Sequence, residues 1–267
     1  LQWSNDGPMP DWASGLLTNE DDSGRKVWLI SLPVVSTERQ NPQRRLPPWL
    51  KRPLPGAGMV TTRRVVGTSR VATVCEEAKC PNLTECWSHR TATFMIMGDR
   101  CTRRCGFCAV DTAKPLPLET DEPDRLAQAV VELGLRHVVI TAVARDDVGD
   151  EGSSHFAACV RAVRAAVPEA SIEVLPADFK ARRDCIATLC DAEPDVYNHN
   201  LETVDRLTPL VRAQARYRRS LEVLRIVKEL RPHMPTKSGL MVGLGESRSE
   251  LRQATVSYTH LRAHETK

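Results

Sequence analysis

The chain has 267 residues, 41% of them hydrophobic, and a formal net charge of +3 at pH 7. The length suits one large domain or two small ones, and the apolar fraction allows a sizeable core. Basic residues are scattered and aromatic residues are few, which argues against a nucleic-acid binder, and no run approaches the ~20 apolar residues of a membrane span. We therefore expect a soluble, cytoplasmic protein that binds neither nucleic acid nor membrane.

Residues 1–45 carry little information about fold. The chain begins with Leu rather than Met, and Gly, Pro, Asp, Asn and Ser dominate the first 24 positions. This composition is typical of a disordered leader, or of sequence read through from upstream of the true start. From Leu46 (LPPWLKRPLP) the proline-rich sequence predicts an extended segment across the surface of the following domain, with Trp49 as a packing anchor.

Six of the nine cysteines form two triplets with different spacings. The triplets are Cys75-x4-Cys80-x5-Cys86 and Cys101-x3-Cys105-x2-Cys108. Between them, residues 93–98 are apolar and end in a Gly-Asp turn, which predicts a buried strand. The second triplet therefore lies on the loop that follows this strand.

Three kinds of chemistry compete for the second triplet. An odd cysteine count and the lack of a visible secretory signal disfavour a disulfide framework. Zinc stays open as an alternative, although zinc sites usually take two ligands from each loop. Three thiolates on one loop suit a cubane cluster of four irons and four sulfides, because they leave one iron open for a substrate. The spacing favours such a catalytic cluster over a structural metal.

After Cys108, strand and helix patterns alternate. The predicted helices are 122–134, 153–167, 181–192, 203–212 and 220–230, and the predicted strands are 137–143, 171–175, 196–200 and 237–244. Ser153 or Ser154 is the expected cap of the second helix. With residues 93–98, five strands are predicted and no sixth, and repeated strand–helix units predict a parallel sheet, closed or partly closed into a barrel. The remaining cysteines lie in helical patterns and are predicted to be core residues: Cys159, Cys185 and Cys190.

The carboxyl ends of the strands are where barrel enzymes place their functional groups. The strand 137–143 runs into Arg145 and Asp146, which by charge alone are typical of a solvated acidic loop. The strand 196–200 ends in Asn-His-Asn; such groups orient polar ligands, although a lone His199 is often a satisfied core side chain. The last strand carries Gly239-x-Met241-x-Gly243, whose glycines allow a planar ring to approach the backbone.

The second triplet, with Phe107 directly before its last cysteine, resembles the radical S-adenosylmethionine (SAM) family. In that family the open iron of a 4Fe-4S cluster chelates the amine and carboxylate of SAM. The first triplet, in TVCEEAKCPNLTECW, narrows the resemblance to the lipoyl synthases, where it holds an auxiliary 4Fe-4S cluster. The likeness covers residues 46 to 255 and includes the words TATFMIMGDRCTRRCGFC and NHNLETV.

The resemblance assigns roles to individual residues. The implied catalytic ligands of the SAM cluster are Cys101, Cys105 and Cys108, and the implied ligands of the auxiliary cluster are Cys75, Cys80 and Cys86. The implied cofactor-binding residues are Phe107, Arg145, Asp146, Asn200, Glu202, Gly239, Met241, Gly243 and Glu246. The loop with Arg145 and Asp146 is expected to line the SAM or octanoyl pocket, and Glu202 to hold the α-ammonium group of SAM.

The resemblance also implies a fold and an activity. The fold is a partial (β/α)6 TIM-type barrel over residues 93–255 that lacks its last unit, with residues 46–92 as an N-terminal extension that carries the auxiliary cluster. The activity is insertion of sulfur at C6 and C8 of a protein-bound octanoyl chain, through a 5′-deoxyadenosyl radical. The implied partners are an octanoylated lipoyl carrier domain (a 2-oxoacid dehydrogenase E2 subunit or the glycine cleavage H protein) and an electron donor such as ferredoxin or flavodoxin.

The last twelve residues, 256–267, depart from the family pattern and are expected to be a non-family tail. In the family a serine near the carboxyl terminus completes the auxiliary cluster, and Ser257 comes a whole strand–helix unit too early to be that ligand. Two other readings remain open from sequence: another radical SAM sulfur-inserting enzyme of the biotin synthase kind, or an inactive truncated fragment.

Overall fold

A computed structural model describes residues 17–20, 26–29, 57–78, 80, 82–88 and 91–263. The predicted extended segment at Leu46, with Trp49, lies outside these residues. The chain divides into two compact units, residues 1–51 and 52–267. In the first unit, β1 (Leu17–Glu20) and β2 (Lys26–Leu29) pair antiparallel, within the stretch for which the sequence predicts a disordered leader.

The second unit is built around a six-stranded sheet. The strands of this sheet are β3 (Ala72–Thr73), β4 (Thr93–Ile96), β7 (His137–Ala142), β8 (Ser171–Leu175), β9 (Val196–Asn198) and β10 (Thr236–Lys237). Two further short strands, β5 (Arg100–Cys101) and β6 (Asp111–Thr112), pair with each other outside it. The sheet order is β10-β9-β8-β7-β4-β3, and only the β3–β4 pair is antiparallel. Five parallel strands thus follow one another in chain order, which is the arrangement of a partial barrel. The fold class predicted from sequence is confirmed.

The helices precede, connect and follow these strands in the chain. Their bounds are α1 (Ala57–Ser69), α2 (Val74–Glu77), α3 (Leu83–Ser88), α4 (Glu122–Leu133), α5 (Ser153–Ala166), α6 (Arg183–Cys190), α7 (Thr208–Val211), α8 (Tyr217–Leu230) and α9 (Arg248–Ala263). Short 3₁₀ turns at Phe179–Ala181 and Asp205–Leu207 precede α6 and α7. None of the helices in the described part of the chain is long and apolar enough to span a bilayer.

The core forms on one face of the central strands. Phe94, Ile96, Ile140, Ile172 and Val174 are fully buried and share that face by the strand register, whereas Glu173 lies on the other face. Leu126 and Val130 of α4 belong to the same core. The three cysteines outside the triplets are also buried, which confirms their prediction as core residues.

Two local predictions are wrong. Neither Ser153 nor Ser154 caps α5: the N-cap is Gly152, and Asp150 accepts the N–H groups of Gly152 and Ser154 at 3.0 and 2.9 Å. A carboxylate two residues earlier replaces the serine hydroxyl because Gly152 turns the backbone with φ of 80°. The last predicted strand, 237–244, is regular only at its start, since the glycines that follow lead the chain into a turn. Within the predicted tail, α9 continues without a break to Ala263.

Candidate metal centre

The second cysteine triplet lies on the loop after β4, at the carboxyl edge of the parallel sheet. The Cys101 thiol accepts the backbone N–H groups of Arg103 and Ala144, both at 3.4 Å. The second donor, Ala144, lies two residues past the end of β7, so the neighbouring strand fixes the position of Cys101. Cys105 forms a backbone bridge with Arg212, and Cys108 donates its N–H to the Cys105 carbonyl at 3.1 Å.

The spacing of the thiols bears on which metal group they fit. In the part of the chain that the structure describes, neither triplet brings its three sulfur atoms within 4.8 Å of one another. A single zinc ion needs such a convergence, because Zn–S bonds are about 2.3 Å long. A 4Fe-4S cluster needs wider spacing, since each thiolate binds a different iron. The described thiols therefore form no ready site for a single ion, whereas three separate thiolates suit the different irons of a cluster.

Charges around the triplet favour an anionic group. Burial raises the pKa of the Cys105 thiol, the Arg212 guanidinium opposes this rise, and the thiols of Cys101 and Cys108 add to it. The three thiols are thus close enough to affect one another. Arg212 donates from Nη1 to Asn200 O and Ser220 Oγ at 3.1 and 3.0 Å, whereas its buried Nε has no hydrogen-bond partner among the described residues. An unsatisfied cationic donor beside the triplet suits a negatively charged ligand.

The first triplet lies on α2, on α3 and on the segment between them. Cys75 is buried against Trp87 and Val66, and Cys80 donates its N–H to the Cys75 carbonyl at 3.1 Å. The pKa of the Cys86 thiol is raised by burial and by the nearby Cys75 and Cys80. Like the second triplet, it consists of three free thiols, two of which lie near enough to affect the third, so it also suits an iron–sulfur cluster.

The two cysteine segments border a common cavity of about 260 Å³. Glu77, two residues after Cys75, lines it from the first segment, and Asp99 and Arg100 line it from the loop of the second. Burial raises the pKa of Glu77, and the nearby Asp99 adds to this rise. The fold therefore brings the two cysteine-bearing segments together at this cavity.

The loop of the second triplet is tied to the sheet through a buried ion network. Arg103 donates from Nε and Nη2 to the two oxygens of Asp146 at 2.8 and 2.7 Å, and Nη2 lies 2.7 Å from Asp178 Oδ1. Asp146 follows β7 and Asp178 follows β8. Thr102 adds a 2.6 Å hydrogen bond to Asp146. The cluster loop is thus fixed to two strand ends at once.

The two residues predicted to line a pocket have protein partners here. Asp146 binds Arg103, as just described. Arg145 is buried and donates to both oxygens of Asp147 at 2.8 and 2.9 Å. Both side chains support the loop, and their direct contact with SAM or substrate stays a prediction.

Four of the predicted cofactor residues come together next to the second triplet: Asn200, Glu202, Gly239 and Met241. The N–H of Glu202 donates to Gly239 O at 3.0 Å, and the N–H of Met241 donates to Glu202 O at 2.7 Å. A Cβ on Gly239 would lie 3.0 Å from Asn200 Oδ1, so a larger residue there would push the Asn200 side chain aside. Burial raises the pKa of Glu202, opposed by a hydrogen bond with Asn200 and by the charge of Arg212.

The remaining predicted residues are less enclosed. Glu246 is half-buried, and its carboxylate accepts the N–H groups of Gly243 and Leu244 at 2.6 and 2.8 Å. Phe107 is exposed. His199 is a satisfied core side chain: its ring nitrogens pair with Pro176 O and Ser220 Oγ, and burial, with Arg212 nearby, lowers its pKa to about 4.

The sequence reasoning missed four residues of this region: Arg103, Arg212, Glu122 and His155. The double arginine between Cys101 and Cys105 was a usable signal, because two cations on a metal-binding loop require partners. Arg212 gave no signal, since it falls at the end of a helical pattern. Glu122 and His155 form a buried pair with Oε2 and Nε2 2.6 Å apart, although they are far apart in sequence.

The sheet order and the cysteine loop at its carboxyl edge define a radical SAM protein, and residues 95–255 match the Radical SAM superfamily. The fold resembles methylornithine synthase (PylB), with a TM-score of 0.52 and 14% identity over 75% of this chain and 61% of that one. It also resembles the FeFe-hydrogenase maturase HydG from Carboxydothermus hydrogenoformans, with a TM-score of 0.53 and 16% identity over 63% of this chain and 40% of the other. These two likenesses concern the fold alone.

Sequence relatives identify the family within this class. The chain is 53% identical over 226 residues to a lipoyl synthase of Symbiobacterium thermophilum, covering 84% of this chain and 71% of the relative. It is 56% identical to that of Rubrobacter xylanophilus over 77% of this chain and 64% of the relative, and 54% identical to that of Oceanobacillus iheyensis over 79% and 68%. The chain therefore belongs to the lipoyl synthase family. It spans 64% to 71% of the length of these three relatives.

Membership of this family implies two 4Fe-4S clusters and SAM as cofactors, and a lipoyl carrier protein as substrate. The residues that the fold brings together agree with this cofactor set, since six free thiols lie in two groups and the second group has a cationic donor, Arg212, beside it.

Proposed function

We propose that this chain inserts two sulfur atoms, at C6 and C8, into an octanoyl chain carried by a lipoyl carrier domain. The observation that supports this most directly is the presence of two separate thiol triplets on segments that line one cavity, through Glu77 on one side and Asp99 and Arg100 on the other. One cluster site is enough to cleave SAM, whereas sulfur insertion also needs a source of sulfur. A radical SAM enzyme with a single cluster has no use for the first triplet.

The cofactors, when bound, supply electron transfer and hydrogen abstraction at carbons that offer no acidic proton to a side-chain base. The protein supplies binding and orientation. Cys101, Cys105 and Cys108 hold the SAM cluster, and Cys75, Cys80 and Cys86 hold the auxiliary cluster that provides sulfur. The ion network around Arg103 fixes the loop that carries the SAM-cluster cysteines.

Glu202 and Arg212 are the groups we assign to the amino-acid end of SAM. They have opposite charges and lie beside Cys105, which matches an ammonium and a carboxylate on one carbon. Gly239 has no Cβ, so the Asn200 side chain can lie against its backbone, and we assign this segment to the planar base, in the register predicted from sequence.

The carrier is either a 2-oxoacid dehydrogenase E2 subunit or the glycine cleavage H protein, and a ferredoxin or flavodoxin supplies electrons. We place the activity in the cytoplasm, because clusters held by six free thiols assemble in a reducing compartment.

Two cysteine variants test this function in the reconstituted chain with an octanoylated carrier. Cys105→Ala should abolish SAM cleavage, because the SAM cluster loses a ligand. Cys80→Ala should retain SAM cleavage and lose lipoyl formation. Cys185→Ala, which removes a buried thiol outside both triplets, is the matched control and should retain both. Lipoyl formation by Cys80→Ala would refute the sulfur-donor role of the first triplet.

A further inference from the structure

Met97 is the residue at which the cluster loop leaves the sheet. It follows β4 directly, has φ of +67°, and is followed by Gly98 with φ of +91°. A left-handed conformation is easy for glycine and unfavourable for a side chain as large as methionine. Because Cys101 comes only four residues later, its position depends on Met97 staying in this conformation.

Three other elements hold Met97 in place. Its N–H donates to both oxygens of the Glu122 carboxylate, at 3.1 and 2.9 Å. Its carbonyl accepts from Arg145 Nη1 at 3.5 Å. Its sulfur lies against Gly152, where a Cβ would come within 2.3 Å of Sδ. An unfavourable backbone conformation persists only where its surroundings fix it in this way.

The Glu122 carboxylate is itself oriented by His155. Glu122 is the first residue of α4 and His155 lies in the first turn of α5. The two side chains are nearly buried, and His155 Nε2 lies 2.6 Å from Glu122 Oε2. The carboxylate is thus shared between the backbone of the cluster loop and a histidine from the next strand–helix unit.

We propose that Glu122 and His155 are positioning residues that keep Met97, and through it the SAM-cluster loop, in the arrangement that binds SAM. The proposal rests on the SAM site of the proposed function. Without the carboxylate acceptor, Met97 relaxes toward ordinary backbone conformations, and fewer molecules hold the loop correctly. The apparent dissociation constant for SAM then rises by the inverse of the competent fraction.

A metal site on the same residues is the competing reading. Among the described residues, Glu122, His155 and Cys159 are the group whose ligand atoms all lie within 4.8 Å of one another. Two observations argue against it: both Glu122 oxygens already accept the Met97 N–H, and burial raises the pKa of the Cys159 thiol. A protonated thiol is a poor metal ligand, so the hydrogen-bonding role fits better.

The test compares four variants of the reconstituted chain. Equilibrium dialysis gives the dissociation constant of SAM, and hydrogen exchange gives the protection of amides 97–108. Glu122→Ala should weaken SAM binding on the order of tenfold or more, as for loss of a hydrogen bond to a charged group, and should speed exchange at Met97. Glu122→Gln keeps one acceptor oxygen for Met97 and should stay within about threefold of the original chain. Cys159→Ala and the exposed α4 variant Glu132→Ala should match the original chain.

Two results would overturn the proposal. One is unchanged SAM affinity and unchanged exchange at Met97 in Glu122→Ala. The other is one zinc ion per chain that is lost in both Glu122→Ala and Cys159→Ala, which would show that these side chains form a metal site. If Glu122→Ala does not fold, His155→Ala takes its place, with a rise of about threefold expected and no rise refuting the role. Failure of the original chain to bind SAM would contradict the proposed function, while exchange at Met97 would still decide whether Glu122 holds the loop.

Discussion

Removing Arg103 should destabilise the chain through the ion network that fixes the cluster loop. The Arg103 side chain is 7% exposed, and its partners Asp146 and Asp178 are 17% and 0% exposed. Breaking a buried ion pair by deleting one partner costs about 3–5 kcal/mol, because a charge is left without compensation. Here each carboxylate keeps a second cation: Lys180 lies 3.5 Å from Asp146, and Arg219 lies 3.2 Å from Asp178.

Because these partners remain, Arg103→Ala should lower the free energy of unfolding by about 3 kcal/mol, the lower end of the range for a broken buried ion pair. In a domain of this size such a loss lowers the melting temperature by about 6–12 °C. Urea unfolding of the reconstituted chain under anaerobic conditions measures it. Arg104→Ala, an exposed neighbour on the same loop, is the matched control and should change stability by no more than about 0.5 kcal/mol.

The pH dependence of stability provides a second test of the same ion network. Hydrogen bonding from Arg103 lowers the pKa of Asp146, and Arg103 also lowers that of Asp178 against the opposing effect of burial. Carboxylates whose pKa is lower in the folded chain contribute stability above their unfolded pKa of about 3.9, and this is lost as pH falls below it. The difference between the original chain and Arg103→Ala should therefore narrow below about pH 4. Equal stability of Arg103→Ala and Arg104→Ala at pH 7 would refute the reasoning.

Three further predictions concern buried and tightly packed positions. His199 has its pKa lowered to about 4 by burial, so its stabilising effect is complete above its unfolded pKa of about 6.5 and is lost as pH falls toward 4. His199→Gln should flatten that slope, which reaches at most about 1.4 kcal/mol per pH unit, in urea titrations between pH 7 and 4. Gly152→Ala, at φ of +80° and in conflict with Met97, should cost about 1–3 kcal/mol in the same assay. Gly239→Ala should crowd Asn200 and weaken SAM binding about fivefold, or about 1 kcal/mol, in equilibrium dialysis.

Each of these predictions has a clear contrary result. An unchanged pH slope in His199→Gln would mean that the imidazole titrates alike in the folded and unfolded chain. Full stability of Gly152→Ala would mean that Met97 has room to move. Unchanged SAM affinity in Gly239→Ala would mean that the segment after β10, which carries Gly239, is not part of the SAM site.

The order of strands and helices was readable because each strand is a short apolar run and each helix has its own periodicity. Residues 93–98 and 122–134 correspond closely to β4 and α4. Helix α8 begins at Tyr217 rather than Ser220, since the terminal turn has no distinctive cap in the sequence. Strand β3 was missed because two residues carry no period, and it forms only by pairing with β4.

The candidate site also has a part that the sequence predicted and a part that it did not. Cysteine spacing is local, so both triplets were visible in the sequence. The partners that orient them are distant in the chain: Arg103 meets Asp178, Cys105 meets Arg212, and Met97 meets Glu122. No pattern in one sequence reports such pairs, because they depend on which strand ends become neighbours in the sheet.

The central claim is that this chain holds two 4Fe-4S clusters on two thiol triplets. The most direct measurement is metal and acid-labile sulfide content after anaerobic reconstitution. The account predicts about eight irons and about eight sulfides per chain, four of each for every cluster. About four irons would contradict a second cluster and with it sulfur donation, and zinc without sulfide would contradict the radical SAM chemistry altogether.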